Sequence, residues 1–250
     1  SYDGECRVEC YEEESAKHLV EVKDDTLVIR QNYRSWHDYI KIYTKTPKIT
    51  VYLPKPEYGA LSVIGKTGDV EIPKDFRFES ADISLSTGTA VFSAAALKSV
   101  KIKTSTGSIH VENTSACSLD LSASTGKIQV QNVNCSGDIT VGVSTGKAIL
   151  SDVSCKNVIS TGSIGNISLS NVIASEKLSV ERSIGKVTLD GCDADDIFIK
   201  TSTGDVKGSL LTDKVFITST KLGSVDVPKT VSGGRCEIKT KLGDIKIKIK

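Results

Sequence analysis

A glycine recurs through most of this chain and sets its period. In the clearest copies it closes a Ser-Thr-Gly tripeptide, as in Ser105-Thr106-Gly107. Successive copies are 19 or 20 residues apart, and the ten glycines are Gly68, Gly88, Gly107, Gly126, Gly146, Gly165, Gly185, Gly204, Gly223 and Gly243. A fixed period with no helical pattern inside the unit is typical of a solenoid, in which each copy is one coil stacked on the last.

Apolar and polar residues alternate on both sides of the glycine. The second and fourth residues after it are apolar, as in Ile109 and Val111, and so are the seventh and fifth residues before it, as in Val100 and Ile102. A period of two indicates a strand with one buried face. Each coil is therefore predicted to hold two short strands, and the stacked coils are predicted to form two parallel sheets that enclose the apolar side chains.

Two corners are predicted in each coil. The glycine is one, because a positive φ angle costs this residue nothing. The residue just before it, Thr106 or Ile164 for example, is expected to point inward because it shares the parity of the preceding strand. The second corner comes six residues after the glycine, where residue types that tolerate left-handed backbone angles recur: Asn113, Asn132, Asp152, Asn171 and Gly191.

The segment before the repeat has a different character. Residues 1–16 are acidic and aperiodic, so we predict a flexible start. Residues 17–59 alternate like strands, with a hairpin turn at Asp24-Asp25 and further strands at 39–43 and 49–53. We predict that residues 17–59 form an N-terminal β cap, continuous as one domain with a solenoid over residues 60–250.

The fold class that follows is all-β: a single-stranded parallel β-solenoid of about ten coils of 19–20 residues, with an N-terminal β cap. A right-handed wind is expected from the handedness of parallel crossovers. The chain ends in alternating Ile and Lys residues from Ile245 to Lys250. This end is predicted to be an edge strand that its lysines protect from pairing.

Composition limits the partners. The net charge is +1, so no overall field gathers nucleic acid, and nucleic acid is not an expected partner. No apolar run is long enough for a membrane-spanning helix, so membrane contact is expected only through a segment absent from this chain. Seven cysteines cannot all pair internally, and we expect free thiols.

The entry into the repeats carries a family resemblance. Val51-Tyr52-Leu53-Pro54, the alternation at Leu61-Ser62-Val63 and the Ser-Thr-Gly units resemble the bacterial putative-adhesin family, also called the toastrack domain, over about residues 18–250. The resemblance implies a β-solenoid with no known enzymatic activity. Its relatives are often tethered to the membrane by an N-terminal helix or linked to envelope-stress systems of Gram-positive bacteria. It therefore implies a place in the cell envelope or on the extracellular surface.

The candidate site is a row of serines two residues before the glycines. Their parity is outward, so they should form one row of hydroxyls along the solenoid: Ser86, Ser105, Ser124, Ser144, Ser163, Ser183 and Ser202. Such a row could bind glycan, peptidoglycan or a neighbouring rod, or it could serve only local hydrogen bonding at the corner. Both interpretations remain open.

No catalytic, cofactor-binding or metal-binding residues are predicted. Ser108 and His110 lack an orienting carboxylate and an oxyanion pocket. The acidic cluster of Asp190, Asp193, Asp195 and Asp196 lacks the glycine-rich spacing of calcium loops.

The predicted function is a non-enzymatic, adhesin-like binding protein of the cell envelope or surface, which presents repeated side-chain rows on a rigid rod. Its partner would be a protein or a glycan, and self-association is possible. One alternative is a membrane-associated envelope-stress scaffold that acts by self-assembly. Another is a carbohydrate-active enzyme on a solenoid scaffold.

Overall fold

The computed structural model of the chain describes residues 4–13, 17–31, 47–54 and 57–250. Every regular element in these ranges is a β-strand. The chain divides into two units, Ser1–Pro56 and Glu57–Lys250.

The first unit contains two antiparallel pairs. Strand β1 (Arg7–Tyr11) pairs with β4 (Lys48–Tyr52), and β2 (His18–Lys23) forms a hairpin with β3 (Thr26–Gln31). The turn residues Asp24 and Asp25 have φ angles of 48° and 57°, as a tight two-residue hairpin turn requires.

The predicted hairpin and the strand near residues 49–53 are thus confirmed, whereas the predicted strand at 39–43 lies outside the described residues. Strand β1 falls in the acidic segment, where no strand was predicted. The role of this unit as a cap stays a prediction.

The second unit is one 15-stranded sheet wound into a parallel solenoid of about ten turns, as predicted. Its strands, in chain order, are β5 (Glu57–Thr67), β6 (Val70–Ile72), β7 (Arg77–Phe92), β8 (Ala95–Ala96), β9 (Ser99–Ala116), β10 (Ser118–Cys135), β11 (Asp138–Ile164), β12 (Ile167–Ile184), β13 (Val187–Cys192), β14 (Asp196–Thr203), β15 (Val206–Leu210), β16 (Lys214–Ser219), β17 (Val225–Asp226), β18 (Gly234–Lys239) and β19 (Ile245–Ile249).

Both predicted corners are present. All ten repeat glycines have φ angles between 135° and 158°, and Asn113, Asn132, Asp152 and Asn171 have φ angles between 51° and 54°. Pairing continues through the corners, so that Gly126 lies in register with Gly107 on one side and Gly146 on the other. The glycines are required for space as well, because a Cβ on Gly126 would lie 1.7 Å from the carbonyl oxygen of Gly107.

A regular coil has three paired segments, not the two that were predicted. After the asparagine corner, Val133 pairs with Thr114 and Cys135 with Ala116. All four side chains are buried. This third segment has only two inward positions, which is too short for its alternation to stand out in the sequence.

The prediction for the residue before the glycine is wrong. Thr106 and Thr125 are exposed, and the larger Ile164 and Ile184 remain 52% and 50% exposed. The alternation of inward and outward residues is interrupted before the glycine and not at it, so two successive residues face outward on the convex side of the bend. The row before the glycine is therefore a surface feature.

The last coils do not stack in chain order. Strand β15 pairs with β19, and β19 pairs with β17, while β14 pairs with β18, and β18 with β16. The coil of Gly243 consequently lies between the coils of Gly204 and Gly223. The predicted terminal edge at 245–250 is thus wrong at its start, where Ile245 and Lys246 lie between β15 and β17. The rest of β19 pairs with β15 alone among the described strands, and the outer layer is β16 with β17.

Apolar burial explains this order. The inserted coil carries Ile238, Ile245 and Ile247, which are almost completely buried. The corresponding positions of the outer coil are Thr218 and Val227, which are half-buried, and Val225, which is exposed. Because buried apolar area stabilises the fold, the more apolar coil occupies the inner layer.

Candidate functional site

The serine row lies on the surface as its parity predicts. Ser86, Ser105, Ser124, Ser144, Ser163 and Ser183 are exposed, and Ser202 is half-buried. Stacked coils are about 4.8 Å apart, so the hydroxyls recur at that interval along the rod. The structure shows no hydrogen bond from any of these seven hydroxyls to another described residue. The local hydrogen bonds that a purely structural role would use are therefore not seen for these hydroxyls among the described residues.

A shallow groove runs beside the row over five coils. Its other wall is the outward row two residues earlier in each coil, where Ser84, Ser122, Gly142 and Thr161 are small and Lys103 supplies one amine. The groove therefore offers hydroxyls, backbone groups and a single cation, and its lining contains no carboxylate. This chemistry suits hydrogen bonding to an extended polyhydroxyl chain.

The groove ends where larger charged residues take over the same outward row. Glu181 and Lys200 follow Thr161 in successive layers, with Lys200 Nζ 3.9 Å from the Glu181 carboxylate. Both side chains are more than half exposed, so this ion pair is a surface feature and contributes little to stability.

The row just before the glycines, called the corner row, changes character along the rod. It holds threonine in the coils of Thr106, Thr125 and Thr145 and becomes apolar further on. Its apolar members are Ile164, Ile184, Leu242 and Leu222, in the order of the layers, with Thr203 between the second and third. The hydroxyl groove and the apolar part of the corner row thus occupy different lengths of the solenoid.

Arg182 is a buried cation that the repeat pattern did not single out. It occupies an inward position held by Thr104, Ala123 and Val143 in other coils. Its Nη2 donates to Ser160 Oγ at 2.8 Å, and Nη1 donates to the Glu181 carbonyl at 3.2 Å.

The guanidinium fits because the layer below has a glycine. A Cβ on Gly162 would lie 2.4 Å from Nη1 of Arg182. Burial lowers the pKa of Arg182 to about 10, so it remains a cation at neutral pH. The sequence does carry a signal: Arg182 is a charged residue in an inward row, and the adjacent layer has a serine, Ser160, at a core position.

The residues weighed for catalysis do not form a site. Ser108 and His110 are half-buried on an outer face and are not hydrogen-bonded to each other. Burial, with Lys127 nearby, lowers the pKa of His110, while Glu112 acts in the opposite direction.

Two of the four aspartates in the acidic cluster form ion pairs with lysines. Lys250 Nζ lies 2.6 Å from Asp190 Oδ1, and Lys214 Nζ lies 2.6 Å from Asp193 Oδ1. Across the described ranges, no group of three or more His, Cys, Asp or Glu side chains could hold a metal ion.

All seven cysteines are free thiols. Cys135, Cys155, Cys192 and Cys236 are buried in the core, where burial raises the pKa of Cys155 and Cys236 to about 12. These thiols act as small apolar side chains.

A comparison with known families decides the relationship. The model of the Toastrack family (DUF4097) matches residues 1–144. The chain belongs to the Toastrack family. This is a β-solenoid family of unknown function and not a known enzyme fold. The glycine period continues past the matched part to Gly243, so the remaining residues extend the same architecture.

No curated protein and no solved structure matches the chain. Within the part of the chain that the structure describes, no helix is long and apolar enough to cross a membrane. The fold supports the description of the Toastrack protein as a repeat-protein scaffold.

Proposed function

We propose that this Toastrack protein is a non-enzymatic, adhesin-like binding protein of the cell envelope or cell surface, and that the serine row and its groove bind a glycan. The observation that carries the proposal is the set of seven serine hydroxyls without a hydrogen-bond partner among the described residues. A repeating row at about 4.8 Å presents the same donor and acceptor groups many times, which favours a repetitive ligand by multivalency.

The groove chemistry favours binding over hydrolysis. Glycoside hydrolysis ordinarily uses two carboxyl groups about 5 to 9.5 Å apart. The groove lining supplies none. A polyhydroxyl chain lying in the groove would meet serine and threonine hydroxyls and the Lys103 amine, which hold it without breaking it.

Binding of the purified chain to immobilised cell-wall polysaccharides and defined glycans tests this proposal. The informative variant replaces Ser124, Ser144 and Ser163 with Ala, which removes three hydroxyls and leaves the corner glycines intact. We expect at least about tenfold weaker binding, since a hydrogen bond contributes about 0.5 to 1.5 kcal/mol.

A matched control replaces Ser151, Ser168 and Ser170 with Ala. These serines lie on a different outer face, after the glycine corner, and the structure shows no side-chain hydrogen bond from them to another described residue. The control should bind like the unmodified protein. Retention of no glycan, or equal loss in both triple variants, would contradict the proposal.

A further inference from the structure

The serine row is flanked by lysines on both of its sides. Lys103 lines the groove on one side. On the other side, past the glycine corner, Lys127 and Lys147 directly follow Gly126 and Gly146. The two lysines lie in register in adjacent layers, which places two like charges on backbones about 4.8 Å apart. Because lysine is a cation at neutral pH, this stretch of the surface carries positive charge around the serine hydroxyls.

Other stacked lysines of the solenoid are compensated by its own carboxylates. Lys200 lies in register with Lys239, and Lys207 lies in register with Lys246. Each of these four lysines forms an ion pair with an acidic side chain: Lys200 with Glu181, Lys239 with Glu237, Lys207 with Asp205 and Lys246 with Asp226.

Lys127 and Lys147 have no such partners. Among the described residues, the structure shows no ion pair for either of them or for Lys103. The Lys127 amine donates instead to Gln129 Oε1 at 2.7 Å, and this neutral acceptor leaves its charge uncompensated. Like charges on adjacent strands repel each other. This part of the surface is therefore suited to an anion that the chain itself does not supply.

The surrounding sequence keeps carboxylates away from this corner. Residues 121–175 contain two, Asp138 and Asp152, and neither lies in the lining of the serine groove. Asp152 is at the asparagine corner, where its φ angle is 54°. Asp138 begins β11, where its Oδ1 accepts a hydrogen bond from Asn157 Nδ2 at 2.8 Å. An anion at the serine row of these coils would therefore meet lysines and not carboxylates.

We propose that the glycan bound by the serine row is an anionic polysaccharide, whose carboxylate or phosphodiester groups contact Lys103, Lys127 and Lys147. The inference rests on the proposed function and names the chemical class of its ligand. The serine hydroxyls hold the sugar, and the lysines on either side select for negative charge. An ammonium group suits this role, since it donates strong hydrogen bonds to anionic oxygens. A polymer with regularly spaced charges would engage several layers at once.

Binding of the full chain to three soluble polymers tests the inference: a polyuronate, a poly(glycerol phosphate) and dextran, which is neutral. We expect at least one of the two anionic polymers to bind at least about tenfold more tightly than dextran. Its affinity should fall as the salt concentration is raised from about 0.05 to 0.5 M, because salt screens exposed charges. The comparison between the two anionic polymers tells whether carboxylate or phosphodiester is the preferred group.

The informative variant combines Lys127→Gln with Lys147→Gln, which removes the two stacked charges. It should weaken binding of the anionic polymer at least about tenfold and leave binding of dextran unchanged. Lys103→Gln should act in the same direction. A matched control combines Lys229→Gln with Lys248→Gln, which makes the same change in net charge at exposed lysines of the last coils. The control should bind like the unmodified protein, and unchanged circular dichroism should show that both double variants fold.

The possible failures can be told apart. Dextran binding as tight as that of the anionic polymers, or equal losses in the lysine variant and its control, would overturn the inference and leave the proposed function intact. Failure of all three polymers to bind would also overturn the inference, and the proposed function falls with it if the wider glycan panel fails too. Loss of the anionic polymer in the lysine variant, with none in the variant of Ser124, Ser144 and Ser163, would contradict the serine row as the site and overturn both.

Discussion

The loss of stability in a Gly126→Ala variant shows how closely the coils stack at the glycine corner. The Cβ of the alanine would lie 1.7 Å from the carbonyl oxygen of Gly107, whereas real Cβ atoms essentially never approach within 3.0 Å. The two layers would have to separate locally by more than about 1 Å, weakening one or two ladder hydrogen bonds at about 0.5 to 1.5 kcal/mol each. The φ angle of 148° adds strain of about 1 to 3 kcal/mol. We expect a total loss of about 2 to 5 kcal/mol in the free energy of unfolding.

Two other glycines separate these contributions. Gly68 has a φ angle of 135°, but no described atom lies within 4 Å of an added Cβ, so Gly68→Ala carries only the strain. Gly59 has neither a strained φ angle nor a close neighbour, so Gly59→Ala should be nearly neutral. Urea unfolding followed by far-ultraviolet circular dichroism should rank the losses as Gly126, then Gly68, then Gly59. Equal losses for Gly126→Ala and Gly68→Ala would refute the stacking argument.

Three further predictions concern the second corner, the buried cation and the surface carboxylates. Asn132 has a φ angle of 51°, and its side-chain amide donates to Asn113 Oδ1 at 2.8 Å. Asn132→Ala should therefore lower the free energy of unfolding by about 1 to 2 kcal/mol, and Asn132→Gly should lower it by less. Equal losses in the two variants would contradict this. Arg182→Met removes a buried charge that has no carboxylate partner, so it should leave the free energy of unfolding unchanged or raise it. Arg182→Ala should lower the free energy of unfolding, because it leaves a cavity. A large loss in the Met variant would show that the cation stabilises the fold. The Lys207 amine holds the pKa of Asp205 below its ordinary value. This carboxylate therefore stabilises the fold at pH values above its unfolded-state pKa, and the contribution is lost as the pH falls through the folded-state pKa. The melting temperature should be constant from about pH 7 to 5 and should fall below about pH 4, and the fall should be smaller in Asp205→Asn.

The corners and the buried rows could be predicted because each is a local requirement. A positive φ angle at Gly126 or Asn132 restricts the residue type wherever the coil lies in the stack. The inward alternation around Ile109 likewise needs only the sequence of its own coil. These features repeat, so each copy supports the others.

The layer order could not be predicted in the same way. The coils of Gly223 and Gly243 share the period and the Lys-Leu-Gly corner, and the choice between them depends on which buries more apolar area against Ile197 and Ile199 of the preceding layer. That is a comparison between two arrangements of the whole end, which no single coil reveals.

Only part of the candidate site could be predicted, because the rest depends on contacts between coils. The parity of the serine row placed its hydroxyls outside, but their lack of partners and the groove beside them depend on the size of side chains in the neighbouring row. Arg182 was not predicted, because the apolar and small residues that occupy its row in other coils do not indicate a buried cation. Its burial depends on Ser160 and Gly162 in the layer below, so the three positions have to be considered together.

The account of the C-terminal end depends on which coil lies against which, and disulfide crosslinking measures this directly. In a background with Cys6 and Cys117 replaced by Ser, cysteines are placed at exposed positions of the corner row. Leu242 lies in register with Thr203, and Leu222 lies one layer further out. A disulfide spans Cα atoms about 4.4 to 6.8 Å apart, which allows one layer of about 4.8 Å but not two. The pair Thr203→Cys with Leu242→Cys should therefore oxidise readily, and the pair Thr203→Cys with Leu222→Cys should not; the opposite result would show that the coils stack in chain order and would contradict the account.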